Sequence, residues 1–106
     1  MTEVVILQAT NLYGIECKGH SGYAEMGSDI VCAGISALTD AFLMVFDEYQ
    51  GSDGVELKVM DADDGYMHVV YYDPRGTLLP AFKMVVMGLE GIAELYPYNI
   101  NLLYKS

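Results

Sequence analysis

The chain has 106 residues, 53% of them hydrophobic, and 15 acidic against 5 basic side chains give it a formal net charge of −10. That length fits one domain spanning residues 1–106 with a core of its own, and the apolar content excludes a disordered chain. The acidic balance argues against direct nucleic-acid binding, which needs a basic patch for the phosphates.

The N-terminus, Met1-Thr2-Glu3, has no basic region ahead of an apolar one, so no signal peptide is expected. The most apolar stretch, Ile30–Phe46, is broken by Ser36, Thr39 and Asp40 and falls short of the ~20 residues of a membrane span. Two cysteines, Cys17 and Cys32, do not make a disulfide framework. A cytoplasmic protein without a membrane segment is expected.

Glu3–Thr10 is rich in Val, Ile and Leu and predicts a strand. Asn11-Leu12-Tyr13-Gly14 has turn chemistry. Ile15–Gly19 then alternates apolar and polar residues as a half-buried second strand. His20–Ser28 reads as a loop, where Gly19, Gly22 and Gly27 lower the cost of unusual backbone angles.

A helix is expected to start at Ser28 or Asp29, either of which can cap free N–H groups. Its apolar positions are Val31, Ile35, Leu38, Phe42, Val45, Phe46 and Tyr49, and Gln50–Gly54 ends it. Val55–Ala62 and Tyr66–Tyr72 predict a hairpin closed by Asp63-Asp64-Gly65. A second helix runs from about Leu78 to Tyr96, with Pro80 in its first turn and an apolar set of Met84, Met87, Leu89, Ile92 and Leu95. Gly88 and Gly91 fit either helix-on-helix packing or a subunit interface. Ile100–Tyr104 is a short last strand. The order ββαββαβ predicts an α+β fold, a mostly antiparallel sheet covered by two helices. The helices carry more apolar surface than one thin sheet needs, so a homodimer is expected.

The chemistry-bearing feature is a thiol and an imidazole twelve positions apart, Cys32 and His20, across the glycine-rich segment. With Asp29 as N-cap, Cys32 is the third helical residue, where unpaired N–H groups and the helix dipole favour a thiolate. If strand end and helix start are neighbours, His20 can take the thiol proton and return it to a leaving amine. The backbone N–H groups of Cys32 and Ala33 are candidates for an oxyanion hole.

Each of these residues also has a plain reading. A lone Cys in an apolar helix is commonly a small core residue, and Asp29 is explained by capping, with orientation of His20 as the alternative. Ser36, one turn past Cys32, reads as a buried serine bonded to its own helix or as a hydrogen-bonding group of the site. Cys17 reads as core and His68 as an ordinary sheet residue. No metal site is expected, because the spacing of Cys17, His20, Asp29 and Cys32 matches no zinc pattern, and no cofactor is implied.

The run Gly19-His20-Ser21-Gly22-Tyr23-Ala24-Glu25-Met26-Gly27-Ser28-Asp29-Ile30-Val31-Cys32-Ala33-Gly34-Ile35-Ser36 resembles the ribosomal-processing cysteine protease (Prp) family of bacteria. The matching parts are a GH-x-G loop, Gly19–Gly22, and a G-x-D-[IV]-V-C-A-x-[IV]-S segment, Gly27–Ser36. The tail from Glu94-Leu95-Tyr96-Pro97-Tyr98-Asn99-Ile100 to Tyr104-Lys105 is similar as well.

The resemblance implies an endopeptidase that removes the N-terminal extension of a large-subunit ribosomal protein, number twenty-seven. It places the dyad on His20 and Cys32, with Gly19, Asp29 and Ser36 in support. It also implies a homodimer and a mobile loop, here Ser21, Gly22, Gly27 and Ser28, that orders around substrate. The partner is then a basic ribosomal protein precursor, toward which an acidic enzyme is electrostatically steered. The rival reading is a non-catalytic peptide-binding or ribosome-assembly module, and a third is a redox sensor that pairs Cys17 with Cys32.

Overall fold

The alternation of apolar residues in the strands and their helical spacing between them produce seven elements in the expected order. They are β1 (Thr2–Gln8), β2 (Leu12–Lys18), α1 (Ile30–Tyr49), β3 (Glu56–Asp63), β4 (Tyr66–Tyr72), α2 (Leu79–Leu95) and β5 (Ile100–Lys105). The structure, a computed structural model, describes residues 1–25 and 29–106. The five strands form one sheet in the order β3-β4-β2-β1-β5. All neighbours are antiparallel except β1 and β5, which run parallel after the α2 crossover. The fold is α+β.

The period-2 pattern sends one set of strand side chains toward the helices. Val4, Cys17 and Met67 share one cross-strand row, and Ile6, Ile15 and Val69 the next. They pack with Val31, Ile35, Phe42 and Phe46 of α1 and Phe82, Val85 and Leu89 of α2. Tyr71, Phe42 and Phe82 form an aromatic cluster, with Phe42 and Phe82 each edge- or tilt-packed against Tyr71. β3 lies at the sheet edge and is largely exposed, with Leu57 packed against the core. An open space remains between α1 and the β3–β4 hairpin.

Four local expectations change. The first turn is tighter than Asn11–Gly14: only Asn11 adopts positive φ (61°), and Ala9 N–H donates to Leu12 O at 2.8 Å. Gly14 lies inside β2, where a Cβ would sit 2.9 Å from the Val69 carbonyl oxygen, so its bareness serves close strand approach.

On α2, the buried residues are Phe82, Val85 and Leu89, while Met84, Met87 and Leu95 are exposed. The helix has little polar contrast, so hydropathy alone did not fix which face turns inward. Gly88 meets Leu38 of α1 within the same chain, whereas a Cβ on Gly91 meets nothing within 4 Å. Finally, Ile30–Tyr49 is long and apolar enough, by length and hydropathy, to cross a membrane. In this fold its Val31, Ile35, Thr39, Phe42 and Phe46 are buried.

Candidate active site

Asp29 is the N-cap of α1, extended at φ −82° and ψ 101°. Its Oδ1 accepts from Val31 N–H at 3.0 Å and Cys32 N–H at 2.9 Å. Its Oδ2 accepts from the Ser21 hydroxyl at 2.5 Å, Tyr23 N–H at 3.1 Å and Ala24 N–H at 3.4 Å. Burial alone raises this carboxyl, but the hydrogen bonds from Ser21 and from the Cys32, Ala24 and Tyr23 amides outweigh it, and the group falls from 3.8 to about 2. Among the described residues Asp29 makes no hydrogen bond to His20, so capping is its structural role here.

Cys32 follows as the third helical residue, half-buried, with its thiol toward the loop. Ser21 N–H donates to Cys32 Sγ at 3.2 Å. Ser21 is not the loose loop residue expected: it is 1% exposed, and its N–H, hydroxyl and carbonyl all have partners, the last accepting from Asn99 Nδ2 at 3.2 Å. Gly22 is exposed at φ +72°, whereas Gly27 and Ser28 lie outside the described residues.

The oxyanion-hole expectation for Cys32 and Ala33 does not fit this geometry. Cys32 N–H is held by Asp29 Oδ1, and Ala33 N–H by Asp29 O at 3.1 Å. The cap that starts the helix consumes those amides.

His20 is carried by Gly19, whose φ of +88° requires glycine-type backbone. Gly19 N–H donates to Gly65 O at 2.8 Å and Gly19 O accepts from the Thr2 hydroxyl at 3.0 Å. His20 and Cys32 line one cavity of about 370 Å³, in the space between α1 and the β3–β4 hairpin. Both residues line this one cavity, and no hydrogen bond joins the imidazole to the thiol among the described residues.

The cavity has apolar walls from Ile35, Leu43 and Met67, and its charged lining residues are Asp40, Asp63 and Asp64, all acidic. Ser36 also lines it, one turn beyond Cys32. It is exposed, and its side chain makes no hydrogen bond among the described residues, in contrast to the buried serine expected.

Cys17 contributes to the floor as a buried residue, its thiol pushed up to about 12 by burial and by neighbouring Glu16. Both cysteines are free thiols. Among the described residues no three His, Cys, Asp or Glu side chains gather in a way that could hold a metal ion.

Sequence reasoning missed Thr2, Gly65 and Asn99, which pin the backbone on either side of His20. Asn99 lies within the tail that carries the family resemblance, so its signal was present but had no assigned role. Thr2 and Gly65 had no signal beyond strand and turn chemistry.

A capped helix start that presents a half-buried thiol to a cleft shared with an imidazole, on an α+β sheet, suits the chemistry of a cysteine protease. The comparisons make the particular assignment. The family described as "Cysteine protease Prp" matches residues 1–101, and the chain belongs to that family. It is 32% identical over 89 residues to the ribosomal processing cysteine protease Prp of Mycoplasma genitalium, covering 84% of this chain and 85% of that one.

Two solved structures of the essential ribosomal processing protease Prp from S. aureus superpose on it. The complex with a covalently linked product peptide has a TM-score of 0.84 at 26% identity, covering 99% of this chain and 100% of that one. The complex with a substrate peptide has a TM-score of 0.79 at 25% identity, with the same coverage. The chain is a cysteine protease, and this weighs against the non-catalytic module.

Proposed function

We propose that the protein is an endopeptidase that removes the N-terminal extension of large-subunit ribosomal protein number twenty-seven, with Cys32 as nucleophile and His20 as general base. The observation that carries this reading is the placement of Cys32 in the first turn of α1, facing the cavity that His20 also lines. The family membership supports it. So does the S. aureus relative's covalently linked product peptide, since a protease–product bond is what nucleophilic catalysis forms.

The step is as follows. The imidazole takes the Cys32 proton, and Sγ attacks the scissile carbonyl carbon. The C–N bond breaks, and the imidazolium returns the proton to the leaving amine. Water, deprotonated by His20, then attacks the thioester; the carboxylic acid leaves and Sγ recovers its proton. Ser21 N–H, aimed at Sγ at 3.2 Å, supports negative charge on sulfur before attack. That thiol and imidazole are not hydrogen-bonded to each other among the described residues agrees with a site that tightens when a peptide occupies the cavity.

The same reading includes a cytoplasmic, single-domain enzyme that works as a homodimer. Exposed Met44, Met84, Met87 and Leu95 on the helices support the dimer, and sedimentation as a strict monomer at micromolar concentration would count against it. The deciding assay incubates the extended ribosomal protein with wild type, Cys32→Ala and His20→Ala and follows the shortened product by mass spectrometry. Wild type is expected to yield the product and both variants to lose it, with helix and sheet content unchanged. Full turnover by Cys32→Ala, or stoichiometric binding without product by wild type, would overturn the reading.

A further inference from the structure

The β3–β4 turn, which lines the cavity with Asp63, Asp64 and Gly65, meets the His20 ring at Gly65. A Cβ built on Gly65 would lie 3.1 Å from His20 Nε2, 3.5 Å from Cε1 and 3.6 Å from Cδ2. The imidazole therefore rests directly against the bare α-carbon. Gly65 also accepts the Gly19 N–H through its carbonyl, so the turn that supports the ring holds the backbone just before it. His20 is exposed, and its side chain makes no hydrogen bond among the described residues, so no hydrogen bond adds to this packing in holding the ring. Its flanks are held by the Thr2 hydroxyl on Gly19 O and the Asn99 amide on Ser21 O.

We propose that Gly65 is a positioning residue for His20, its missing side chain forming the seat that aims the imidazole into the cavity shared with Cys32. The proposal rests on the reading of His20 as general base. Gly65 has φ +70°, and a turn of that conformation favours glycine whatever its neighbours. Gly51 separates the two demands. Its φ is +85°, so an added methyl is strained there too, but it would meet nothing within 4 Å. A methyl at Gly65 carries that strain and in addition crowds the ring, which must move by a few tenths of an ångström or swing off the turn.

The test compares wild type, Gly65→Ala, Gly51→Ala and His20→Ala. It reads kcat and KM on the extended peptide and the ring-proton signals of His20 and His68 by NMR. Gly65→Ala is expected to lower kcat by about tenfold or more, with KM changed less than about twofold, because misplacing a catalytic group costs the chemical step rather than binding. It is expected to shift the His20 signals and leave those of His68 in place, while Gly51→Ala keeps wild-type kcat and His20 signals. In wild type, a nuclear Overhauser effect from Gly65 Hα to the His20 ring is expected.

Equal kcat for Gly65→Ala and Gly51→Ala, unmoved His20 signals, or no such Overhauser effect would each overturn the proposal. Wild-type activity in His20→Ala would instead overturn the general-base reading, a result distinct from the others. Should Gly65→Ala fail to fold, Gly65→Asn carries the same Cβ on a residue that tolerates positive φ. The Overhauser measurement needs no variant at all.

Discussion

The Ser21 hydroxyl donates to the Asp29 carboxylate at 2.5 Å, and through this contact the residue after His20 is bonded to the cap of the helix that carries Cys32. The same serine aims its backbone N–H at the Cys32 sulfur. Thiol, helix start and imidazole-bearing segment are thus linked through one buried residue, by its backbone N–H and its hydroxyl, which is why the cap bears on the site as well as on the helix.

The pH dependence of that linkage has a definite sign. Asp29 is lowered in the folded protein to about 2 from 3.8, so its stabilisation is full above about pH 4 and is lost as pH falls through about 2. Asp29→Asn is expected to melt several degrees below wild type at neutral pH. The gap should close between pH 4 and 2, as read by thermal melts of both proteins. A gap constant across that window would contradict the assignment.

The two thiols differ in reach and in surroundings. Cys17 is buried with its thiol pushed up to about 12, whereas Cys32 is half-buried at a helix start beside a donated N–H. Iodoacetamide on the native protein is expected to modify Cys32 at least about tenfold faster than Cys17, by peptide mass spectrometry. Equal labelling would argue against an activated Cys32.

Glycines at two sites are expected to respond oppositely to alanine. In Gly14→Ala the methyl meets the Val69 carbonyl at 2.9 Å inside the sheet, a clash with backbone that costs about 1–3 kcal/mol. In Gly91→Ala the methyl meets nothing, and the helix gains about 0.5–1 kcal/mol. Urea unfolding midpoints at constant m-value give both signs.

The Tyr71 hydroxyl is buried without a hydrogen-bond partner among the described residues, amid Phe42, Phe46 and Phe82. Removing an unpaired polar atom while keeping the ring should not cost stability. Tyr71→Phe is expected to be as stable as wild type or more stable by about 1 kcal/mol, measured by the same urea titration.

A net charge of −10 and a cavity whose charged lining is Asp40, Asp63 and Asp64 favour approach of a basic peptide. On such a substrate, kcat/KM is expected to fall by about tenfold between about 0.02 and 0.5 M salt, as screening shortens the reach of those charges. Indifference to salt would exclude steering.

The sequence by itself determined what depends on neighbours along the chain. The strand alternation, a helix start at Ser28 or Asp29 with Cys32 in its first turn, and Pro80 in the first turn of α2 all follow from periods of two and 3.6 and from local hydrogen bonding. The family motif also marked His20 and Cys32.

Only the tertiary structure decided what depends on register and layer packing. It turned Phe82 and Val85 inward beside the expected Leu89, in place of Met84 and Met87, because a nearly uniformly apolar helix is oriented by what it packs against. It set Gly14 against Val69 and Gly88 against Leu38. It also brought Asn99 to Ser21 across 78 residues and the β3–β4 turn beneath His20. Such contacts arise from how strands pair and where the helix layer ends, and no local period encodes them.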